Sequence, residues 1–454
     1  MTRQNLQWLF AALIISLISY RSMSRNPQTR QVEDVLEKIH DYYVEDPKDE
    51  QLGMAAISGL LKELDDPNSS YIRSSKSADF QNRLDGVFGG IGIEPWLDPN
   101  KERLVVQFPL PNSPAAKAGI RSGDEIVKID GEEVKTLKFQ GAIQKIRGKP
   151  GSELALSIKR PGKKEAIDLE PFKRELITET SVVGYERNNT GTWSYRLRDD
   201  PRIAYVRLTQ FGKHTSEELR EVLTKLKAEG FAALILDLRG NPGGYLQNAT
   251  EISNFFLESG EIVRINGRNP DVAKSFHAQP SEHMVAEPMV VLIDRDSASA
   301  SEIVAAALMD QKRATIIGER SFGKGTVQHV LHLPPRGDDQ EREPILKLTV
   351  AYYFRPNGQN IHRRKTASEN DEWGVTPLPE FQQQLTDDEM EQMAEWMQSR
   401  ERRGLKLHDP SAVDPAKEPD PPASILSEPT PDAHLKRALE HLRSKLPKAQ
   451  ALAG

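Results

Sequence analysis

Residues 233–244 read Ala233-Leu234-Ile235-Leu236-Asp237-Leu238-Arg239-Gly240-Asn241-Pro242-Gly243-Gly244. The four apolar residues at the start form a continuous run, which is typical of a strand covered on both faces. The glycine-rich turn after this run leads into a helical pattern that continues to about Leu257. A buried strand, a tight turn and a helix in this order indicate an α/β arrangement.

The same alternation of strands and helices extends on both sides of this stretch. One helix is predicted from Ser216 to Leu226, with Ser216 as its N-cap, and another from about Ser299 to Met309. Further strands are predicted at Ile203–Leu208, Met289–Ile293, Ala314–Ile317 and Leu346–Tyr353. The chain is therefore predicted to contain an α/β core.

The composition of the 454-residue chain excludes several classes of protein. Apolar residues make up 37% and charged residues 28%, so the chain can bury a sizeable core in water. The formal net charge of −6 disfavours a nucleic-acid partner, because nucleic-acid binders are usually basic. The absence of cysteine excludes disulfides, thiolate metal sites and cysteine nucleophiles, and we expect neither a metal nor a cofactor.

The N-terminal segment has membrane character. Seventeen uncharged residues lie between Arg3 and Arg21, which is the lower limit for a spanning helix. No small-x-small cleavage site follows Ile18, so an uncleaved signal anchor is favoured over a cleaved signal peptide. A buried helix is the third interpretation of this segment.

Changes of pattern divide the chain into six regions. Helical spacing dominates residues 28–83, and short strands with an Asp130-Gly131 turn dominate residues 84–172. Seven prolines between Asp409 and Asp432 indicate a flexible linker. The predicted regions are a signal anchor or signal peptide (1–27), an N-terminal helical region (28–83), a small β-rich domain (84–172), an α/β core (173–379), a helical extension (380–408), and a proline-rich linker with a terminal helix (409–454).

Three segments of the predicted core could carry chemistry. Ser299 lies where a helix N-terminus would stabilise a developing oxyanion, although serine is also an ordinary N-cap. Lys324 lies between two glycines, where burial would lower its pKa and allow it to act as the base for a serine. The pair Gly243 and Gly244 could present backbone N–H groups to the oxyanion, or could form a simple strand-to-helix turn.

The lysine segment admits two other interpretations. Residues 318–326 nearly fit the phosphate-binding pattern G-x-x-x-x-G-K-[ST]. Gly325, however, replaces the required hydroxyl, and the residues that follow favour a strand over the required helix. His329 could serve as the base instead of Lys324, although it is interpreted here as an ordinary strand residue.

Taken together, these segments resemble one family. Ser-Ala-Ser-Ala-Ser-Glu-Ile at 297–303, Phe-Gly-Lys-Gly-Thr-Val-Gln at 322–328 and Asp-Leu-Arg-Gly-Asn-Pro-Gly-Gly at 237–244 are similar to motifs of the carboxyl-terminal processing peptidases, or tail-specific proteases. The resemblance implies a crotonase/ClpP-like α/β protease core with an inserted PDZ domain and N-terminal helices.

The resemblance also implies a set of catalytic residues. Ser299 would be the nucleophile, and Lys324, which lies 25 positions later, would be the base. Gln328 would orient the lysine, since positions 324 and 328 of a strand face the same side. The oxyanion hole would use the N–H of Ala300 and that of Gly243 or Gly244.

Residues 84–172 resemble the PDZ domain of that family. The resemblance implies that the loop Gly89-Gly90-Ile91-Gly92-Ile93 binds a C-terminal carboxylate through backbone N–H groups. Ile91 and Ile143 would line the pocket for the last side chain, and the tail would add to the sheet edge as a strand. Without the resemblance, the glycine run would be an ordinary turn.

The implied activity is that of a Ser/Lys serine endopeptidase. It would recognise protein or peptide substrates with unstructured, apolar C-termini and cleave them in the bacterial cell envelope. The protein would be anchored in the inner membrane or located in the periplasm. A homo-oligomer is compatible with the sequence. The alternatives are a membrane-anchored PDZ scaffold on a catalytically inactive protease-like core and a P-loop nucleotidase.

Overall fold

The computed structural model describes residue 8 and residues 26–98, 103–110, 112–188, 192–335, 343–402 and 431–446. Most of the predicted signal anchor (1–27) and nearly all of the predicted proline-rich linker lie outside the described residues. In the described segments, no helix is both long enough and apolar enough to cross a membrane. The chain divides into two compact units, Met1–Tyr71 and Ile72–Gly454.

The first unit contains two helices, in agreement with the helical spacing of its sequence. α1 (Pro27–Tyr42) is capped by Asn26, whose side chain accepts the N–H of Gln28 at 3.0 Å. A proline at the first helical position costs nothing, because no hydrogen-bond donor is needed there. α2 (Asp49–Glu63) and a short strand, β1 (Ser70–Ile72), follow.

A helix and a small β-rich domain open the second unit. Their elements are α3 (Ser74–Asp85), β2 (Val87–Gly90), β3 (Ile93–Asp98), β4 (Arg103–Pro109), α4 (Pro114–Lys117), β5 (Glu125–Ile129), β6 (Glu132–Glu133), α5 (Val134–Ile146), β7 (Glu153–Leu154), β8 (Leu156–Lys159) and β9 (Ile167–Asp168). The predicted turn at Asp130-Gly131 is confirmed, because both residues have positive φ, 49° and 81°, and join β5 to β6 as a hairpin.

The main sheet of this domain has an open edge. Its strands are hydrogen-bonded in the order β3-β4-β5-β8-β9, with β6 paired to β5. Among the described strands, β3 therefore has a neighbour on one side only. The hydrophobic core between this sheet and α5 includes Ile91, Ile126 and Ala142.

The remainder of the second unit is the α/β core with its extensions. Its elements are β10 (Phe172–Lys173), β11 (Glu175–Thr178), β12 (Val182–Val183), β13 (Glu186–Arg187), β14 (Trp193–Ser194), β15 (Ile203–Leu208), α6 (Thr215–Glu229), β16 (Ala233–Asp237), α7 (Leu246–Asn254), β17 (Glu261–Asn266), β18 (Lys274–His277), β19 (Met289–Ile293), α8 (Ala300–Asp310), β20 (Thr315–Gly318), β21 (Thr326–His332), β22 (Ile345–Phe354), α9 (Asp387–Arg402) and α10 (Ala433–Lys445).

The central sheet has helices on both faces. Its order is β12-β15-β16-β19-β20, and β15, β16, β19 and β20 run parallel. Leu234 and Leu236 pack in the hydrophobic core with α6, α7 and α8, whereas Ala233 and Ile235 pack in the core that contains α10. This alternation explains the continuous apolar run of β16, all of whose residues are buried. The predicted α/β class is confirmed.

One predicted helix boundary is wrong. α6 begins at Thr215 with His214 as its N-cap, so Ser216 does not cap the helix. The Ser216 hydroxyl instead donates to Glu251 Oε2 at 2.6 Å, and its N–H donates to Asn248 Oδ1 at 2.9 Å. Ser216 thus joins α6 to α7, a tertiary contact that a capping pattern does not reveal.

A second, antiparallel sheet lies beside the core. β22 pairs with β17 on one side and with β21 on the other, and β18 pairs with β17. Through β21 this sheet supplies one wall of the cleft described below.

Candidate active site

The predicted catalytic residues lie where the parallel strands end. The turn after β16, the loop from β19 to α8 and the loop after β20 meet at the carboxyl edge of the sheet, which is the usual location of sites in such folds. A cleft of about 700 Å³ opens there. Five of the predicted catalytic residues line it: Gly243, Gly244, Ser299, Lys324 and Gln328.

Ser299 occupies a strained position at the N-terminus of α8. It is the N-cap of that helix and has φ 56° and ψ −111°, values that a residue with a side chain rarely adopts. Such strain is typical of functional sites and persists only where neighbouring contacts enforce it. Ser297 and Ser301 provide those contacts, since their hydroxyls donate to the carbonyls of Leu238 and Asn241 at 2.9 Å. Within the described part of the chain, Ser299 is the serine of this run that lines the cleft.

The glycine turn after β16 packs directly against Ser299. The N–H of Gly243 donates to the side chain of Asn241 at 2.9 Å, so this donor is already engaged. Among the described residues, the backbone N–H groups of Gly244 and Ala300 have no hydrogen-bond acceptor. Of the two glycines that the sequence left open, Gly244 is therefore the one with an unengaged donor.

The loop that carries Lys324 corrects one prediction. β21 begins at Thr326, so Lys324 lies before the strand, and the pairing with β22 is interrupted between Val327 and Gln328. The argument that residues 324 and 328 share a strand face is therefore wrong, although both line the cleft. The loop owes its path to Gly325, where a β-carbon would lie 2.3 Å from the backbone nitrogen of His362.

The residues near Lys324 bear on the alternative interpretations of this segment. A strand, not a helix, follows the lysine, which contradicts the phosphate-binding pattern. His329 is an exposed residue of β21 and also lines the cleft, so the structure leaves it open as an alternative base. The side chain of Gln328 donates to Thr326 Oγ1 at 2.7 Å. Among the described residues no side-chain hydrogen bond joins Lys324 to Ser299 or to Gln328, so the orienting role of Gln328 stays a prediction.

Glu302 is a residue of the candidate site that its sequence context alone did not reveal. Its side chain is fully buried in the first turn of α8. Oε2 accepts the N–H groups of Ser299 and Lys324, both at 2.8 Å. Oε1 accepts the Ser321 hydroxyl and the Gly323 N–H, both at 2.6 Å. One carboxylate therefore fixes the backbone of the serine and of the lysine loop at once.

The signal for Glu302 was present in its spacing. It lies three residues after the N-cap, where a glutamate commonly binds back to the cap N–H. What the spacing could not reveal is the second pair of donors from the lysine loop. Burial raises the pKa of Glu302 to about 7. The hydrogen bonds that its carboxylate accepts lower the pKa but do not cancel the effect of burial.

The electrostatic setting of Lys324 suits a base. Burial is the main cause that lowers the pKa of Lys324, and the positive charge of Lys347 lowers it further. The carboxylate of Glu302 acts in the opposite direction but does not cancel the other two effects. A lysine with a lowered pKa is more readily neutral, and only the neutral amine can accept a proton.

Behind the glycine turn lies a buried charge cluster. Arg239 donates to both oxygens of Asp237 and to both oxygens of Asp432, at 2.6 to 3.1 Å. Asp237 also accepts the hydroxyl of Tyr205 at 2.6 Å. Asp432 is the N-cap of α10, so the terminal helix is tied to the turn that carries Gly243 and Gly244.

The predicted tail-binding residues lie in the β-rich domain of the second unit. Gly89 and Gly90 belong to β2, which pairs with β11, so they are strand residues as well as part of the loop. Ile91 is only 1% exposed in the core of this domain, and Ile143 packs against the same core. Gly92 has a φ of 71°, and Ile93 opens the edge strand β3.

Comparisons with known proteins agree with this architecture. Residues 202–377 match Peptidase family S41, residues 89–170 match the PDZ domain, and residues 17–75 match the activating protease CtpB N-terminal domain. The carboxy-terminal-processing protease of Bartonella bacilliformis is 36% identical over 361 residues, which cover 78% of each chain. The carboxy-terminal processing protease CtpB of Bacillus subtilis is 35% identical over 341 residues, covering 75% of this chain and 67% of its own.

A solved structure is similar to the same region. The photosystem II D1 C-terminal processing protease is 29% identical, with a TM-score of 0.43, over 77% of this chain and 86% of its own. The level and coverage of identity to the curated relatives show the family. This chain belongs to peptidase family S41, among the carboxy-terminal processing proteases that carry a PDZ domain.

Proposed function

We propose that this protease is a serine endopeptidase of the Ser/Lys type. The observation that carries the proposal is that Ser299 and Lys324 line one cleft while a single buried carboxylate, Glu302, holds the backbone of both. The strained conformation of Ser299 and the lowered pKa of Lys324 support the same assignment.

In the proposed reaction, the hydroxyl oxygen of Ser299 bonds to the scissile carbonyl carbon while its proton passes to the neutral amine of Lys324. The carbonyl oxygen becomes an oxyanion that accepts the N–H groups of Ala300 and Gly244. Collapse of the tetrahedral intermediate breaks the C–N bond, and the Lys324 ammonium protonates the leaving amine. Water then hydrolyses the acyl ester, with Lys324 again taking the proton.

The PDZ domain is proposed to select the substrate by its C-terminus. The open edge of β3 supports this, since a peptide can pair there as an additional strand. Backbone N–H groups of the loop from Gly89 to Ile93 would bind the free carboxylate, and the last apolar side chain would pack near Ile91 and Ile143. Because Ile91 is buried, we expect the loop to move when the tail binds.

We further propose that tail binding activates the cleft. The resemblance to the family supports this, and so does the packing of Gly86, which directly precedes β2, against Gln210, which lines the cleft. The proposed location is the bacterial cell envelope, by the resemblance to the family, with the apolar segment after Arg3 as an inner-membrane anchor or export signal and the catalytic unit in the periplasm. Cell fractionation with a carbonate wash would test the anchor.

The proposed activity is tested with an unfolded reporter protein that ends in apolar residues. Wild type should cleave it, and Ser299→Ala and Lys324→Ala should each abolish cleavage while keeping the melting temperature. The double variant should be hardly less active than either single variant, because nucleophile and base act as a unit. Substantial cleavage by folded Ser299→Ala would contradict the assignment.

Recognition of the tail is tested separately. The same reporter with an amidated C-terminus should bind more weakly, because hydrogen bonds to a charged group contribute roughly 1.5–3 kcal/mol each. Equal cleavage rates for the free and amidated reporters would remove the support for tail selection. Binding of the free tail without any cleavage would favour the alternative, a PDZ scaffold on an inactive core.

A further inference from the structure

We propose that Tyr245 is a positioning residue for the oxyanion turn, held in place by Asp85 at the end of the helix that leads into the PDZ domain. The inference deepens the proposed function and rests on it, since it concerns how the Gly244 N–H is kept in its reactive place. It identifies a physical connection between the PDZ domain and the α/β core. The connection consists of the side chains of Gln81, Asp85 and Tyr245 and of the backbone around Asp85 and Phe211.

The first line of evidence is a cluster of side chains between α3 and the turn. The Tyr245 hydroxyl donates to Asp85 Oδ1 at 2.5 Å, across 160 positions of sequence. The side-chain amide of Gln81 donates to the same carboxylate oxygen at 3.0 Å and to the Tyr245 hydroxyl at 2.9 Å. Burial and the Asp85 carboxylate raise the pKa of Tyr245 to about 12, so the phenol keeps the proton that it donates.

The second line of evidence is the backbone around Phe211. Its N–H donates to the carbonyl of Gly243 at 2.9 Å, and its carbonyl accepts the N–H of Tyr245 at 2.8 Å. A β-carbon on Gly244 would lie 2.2 Å from that same carbonyl oxygen. Two residues further on, the N–H of Lys213 donates to the carbonyl of Asp85 at 3.1 Å. Asp85 therefore contacts Tyr245 through its side chain and the segment that follows Phe211 through its backbone.

The third line of evidence is the path from Asp85 to the tail-binding loop. Gly86 ends α3 with a φ of 77°, and β2 starts at the next residue. A β-carbon on Gly86 would lie 2.5 Å from the side-chain nitrogen of Gln210, so this junction packs tightly on the segment that borders the turn. Gly89 and Gly90 of the loop belong to β2 itself. A movement of the loop is thus transmitted to Asp85 through a few residues in close contact.

The physical consequence concerns a donor that must be placed accurately. An oxyanion donor has to lie about 2.7–3.1 Å from the developing charge, and the loss of one such donor costs about 10²–10³ in kcat. The Phe211 N–H holds the Gly243–Gly244 peptide by its carbonyl, and the Tyr245 side chain, held by Asp85, anchors the next residue of the same turn. Release of Tyr245 should weaken binding of the transition state and leave binding of the substrate unchanged.

The test is Tyr245→Phe in the full-length protein, which removes the hydroxyl and keeps the ring. Using the unfolded reporter, we expect kcat to fall at least tenfold while KM changes less than twofold. A peptide aldehyde matching the mapped cleavage site, which forms an oxyanion on the serine, should lose affinity by the same factor. The affinity of the uncleaved reporter, measured in the Ser299→Ala background, should not change.

The matched control is Tyr195→Phe. Tyr195, like Tyr245, is half-buried, and its hydroxyl donates to the carbonyl of Val182 at 3.2 Å, but it lies outside the cleft. We expect this variant to keep wild-type kcat. Asp85→Ala provides a second test, because it removes the acceptor of the Tyr245 hydroxyl. Its effect on kcat should not add to that of Tyr245→Phe, since both variants remove the same hydrogen bond.

Several results would overturn the inference. These are an unchanged or raised kcat in folded Tyr245→Phe, a loss confined to KM, additive effects of the two substitutions, and an equal loss in Tyr195→Phe. If Tyr245→Phe does not fold, Asp85→Ala decides instead: kcat and the affinity of the aldehyde should fall by the same factor, and an unchanged kcat would overturn the inference. Failure of the proposed function looks different, because wild-type cleavage would then survive Ser299→Ala.

Discussion

Gly243 lies so close to Ser299 that a β-carbon at position 243 would stand 2.8 Å from the β-carbon of the serine. The same added atom would lie 2.9 Å from the nitrogen of Ala300 and 2.7 Å from the carbonyl oxygen of Ala298. Gly243 also has a φ of 97°, which side chains disfavour. The turn and the start of α8 therefore meet without room for a side chain.

Gly243→Ala should consequently reduce kcat by at least tenfold, because the turn must move away from Ser299 and carry the oxyanion donor with it. The matched control is Gly240→Ala, since Gly240 also has a positive φ, 67°, but faces open space. Both variants place an alanine at a positive φ, but only Gly243→Ala also brings a β-carbon against Ser299. Equal losses of kcat in the two variants would show that the close approach has no catalytic role.

The pH dependence of cleavage should report on Lys324. Activity should rise with pH through the pKa of Lys324 in the folded protein, which burial and Lys347 hold below the ordinary value of 10.5. Lys347→Met removes one of these causes, raises the pKa of Lys324 and should move the rising limb to higher pH. Lys274→Met is the control, because Lys274 lines the same cleft but does not contribute to the shift. Identical profiles for Lys347→Met and wild type would contradict this mechanism.

Glu302 should make stability pH-dependent. Its pKa is about 7 when folded against 4.5 ordinarily, so the folded state favours the protonated form. The contribution of Glu302 to the free energy of unfolding should therefore be largest below pH 4.5 and be lost as pH rises through about 7, by about 3 kcal/mol in total. Glu302→Gln should remove this dependence and also lower kcat, because an amide nitrogen cannot accept two N–H groups. Urea denaturation at several pH values measures the free energy of unfolding of both proteins. The same change of this free energy with pH in wild type and in Glu302→Gln would contradict the prediction.

The buried charge cluster should make the terminal helix important for stability. Asp432→Ala leaves Arg239 with one carboxylate, and breaking such a pair typically costs about 3–5 kcal/mol. Glu440→Ala, on the same helix, breaks only an exposed pair with Arg437 and should cost less than about 1 kcal/mol. Denaturant unfolding of both variants compares these costs, and similar values would show that the cluster contributes little.

Local sequence signals predicted a large part of the fold. The apolar run of β16, the hairpin turn at Asp130-Gly131 and the helix that begins after Ser299 all depend on neighbouring residues, and the structure contains each of them. The catalytic motifs were sufficient to select residues that line one cleft. Helix capping at Ser216 was mispredicted because a partner on another helix competes for its hydroxyl.

Contacts between distant residues were beyond the reach of such signals. The strand argument for Lys324 and Gln328 failed because β21 begins only at Thr326, after Gly325 packs against the backbone of His362, some 37 positions away. The bonds of Glu302 to the lysine loop span about 20 positions, and that of Tyr245 to Asp85 spans 160. No periodicity or spacing encodes pairs of this kind, because they form only once the sheet has brought the loops together.

The contact between Arg239 and Asp432 has a consequence for the order of folding. It joins residues 193 positions apart, so it closes late, after the parallel strands and their helices have formed. Until α10 docks, the face of the sheet that carries Ala233 and Ile235 is open to water. In the same state Arg239 binds the carboxylate of Asp237 but not that of Asp432. We therefore expect a newly made chain to assemble its central sheet before the turn after β16 gains all of its contacts. On the proposed mechanism, proteolytic competence should be one of the last properties that this enzyme acquires.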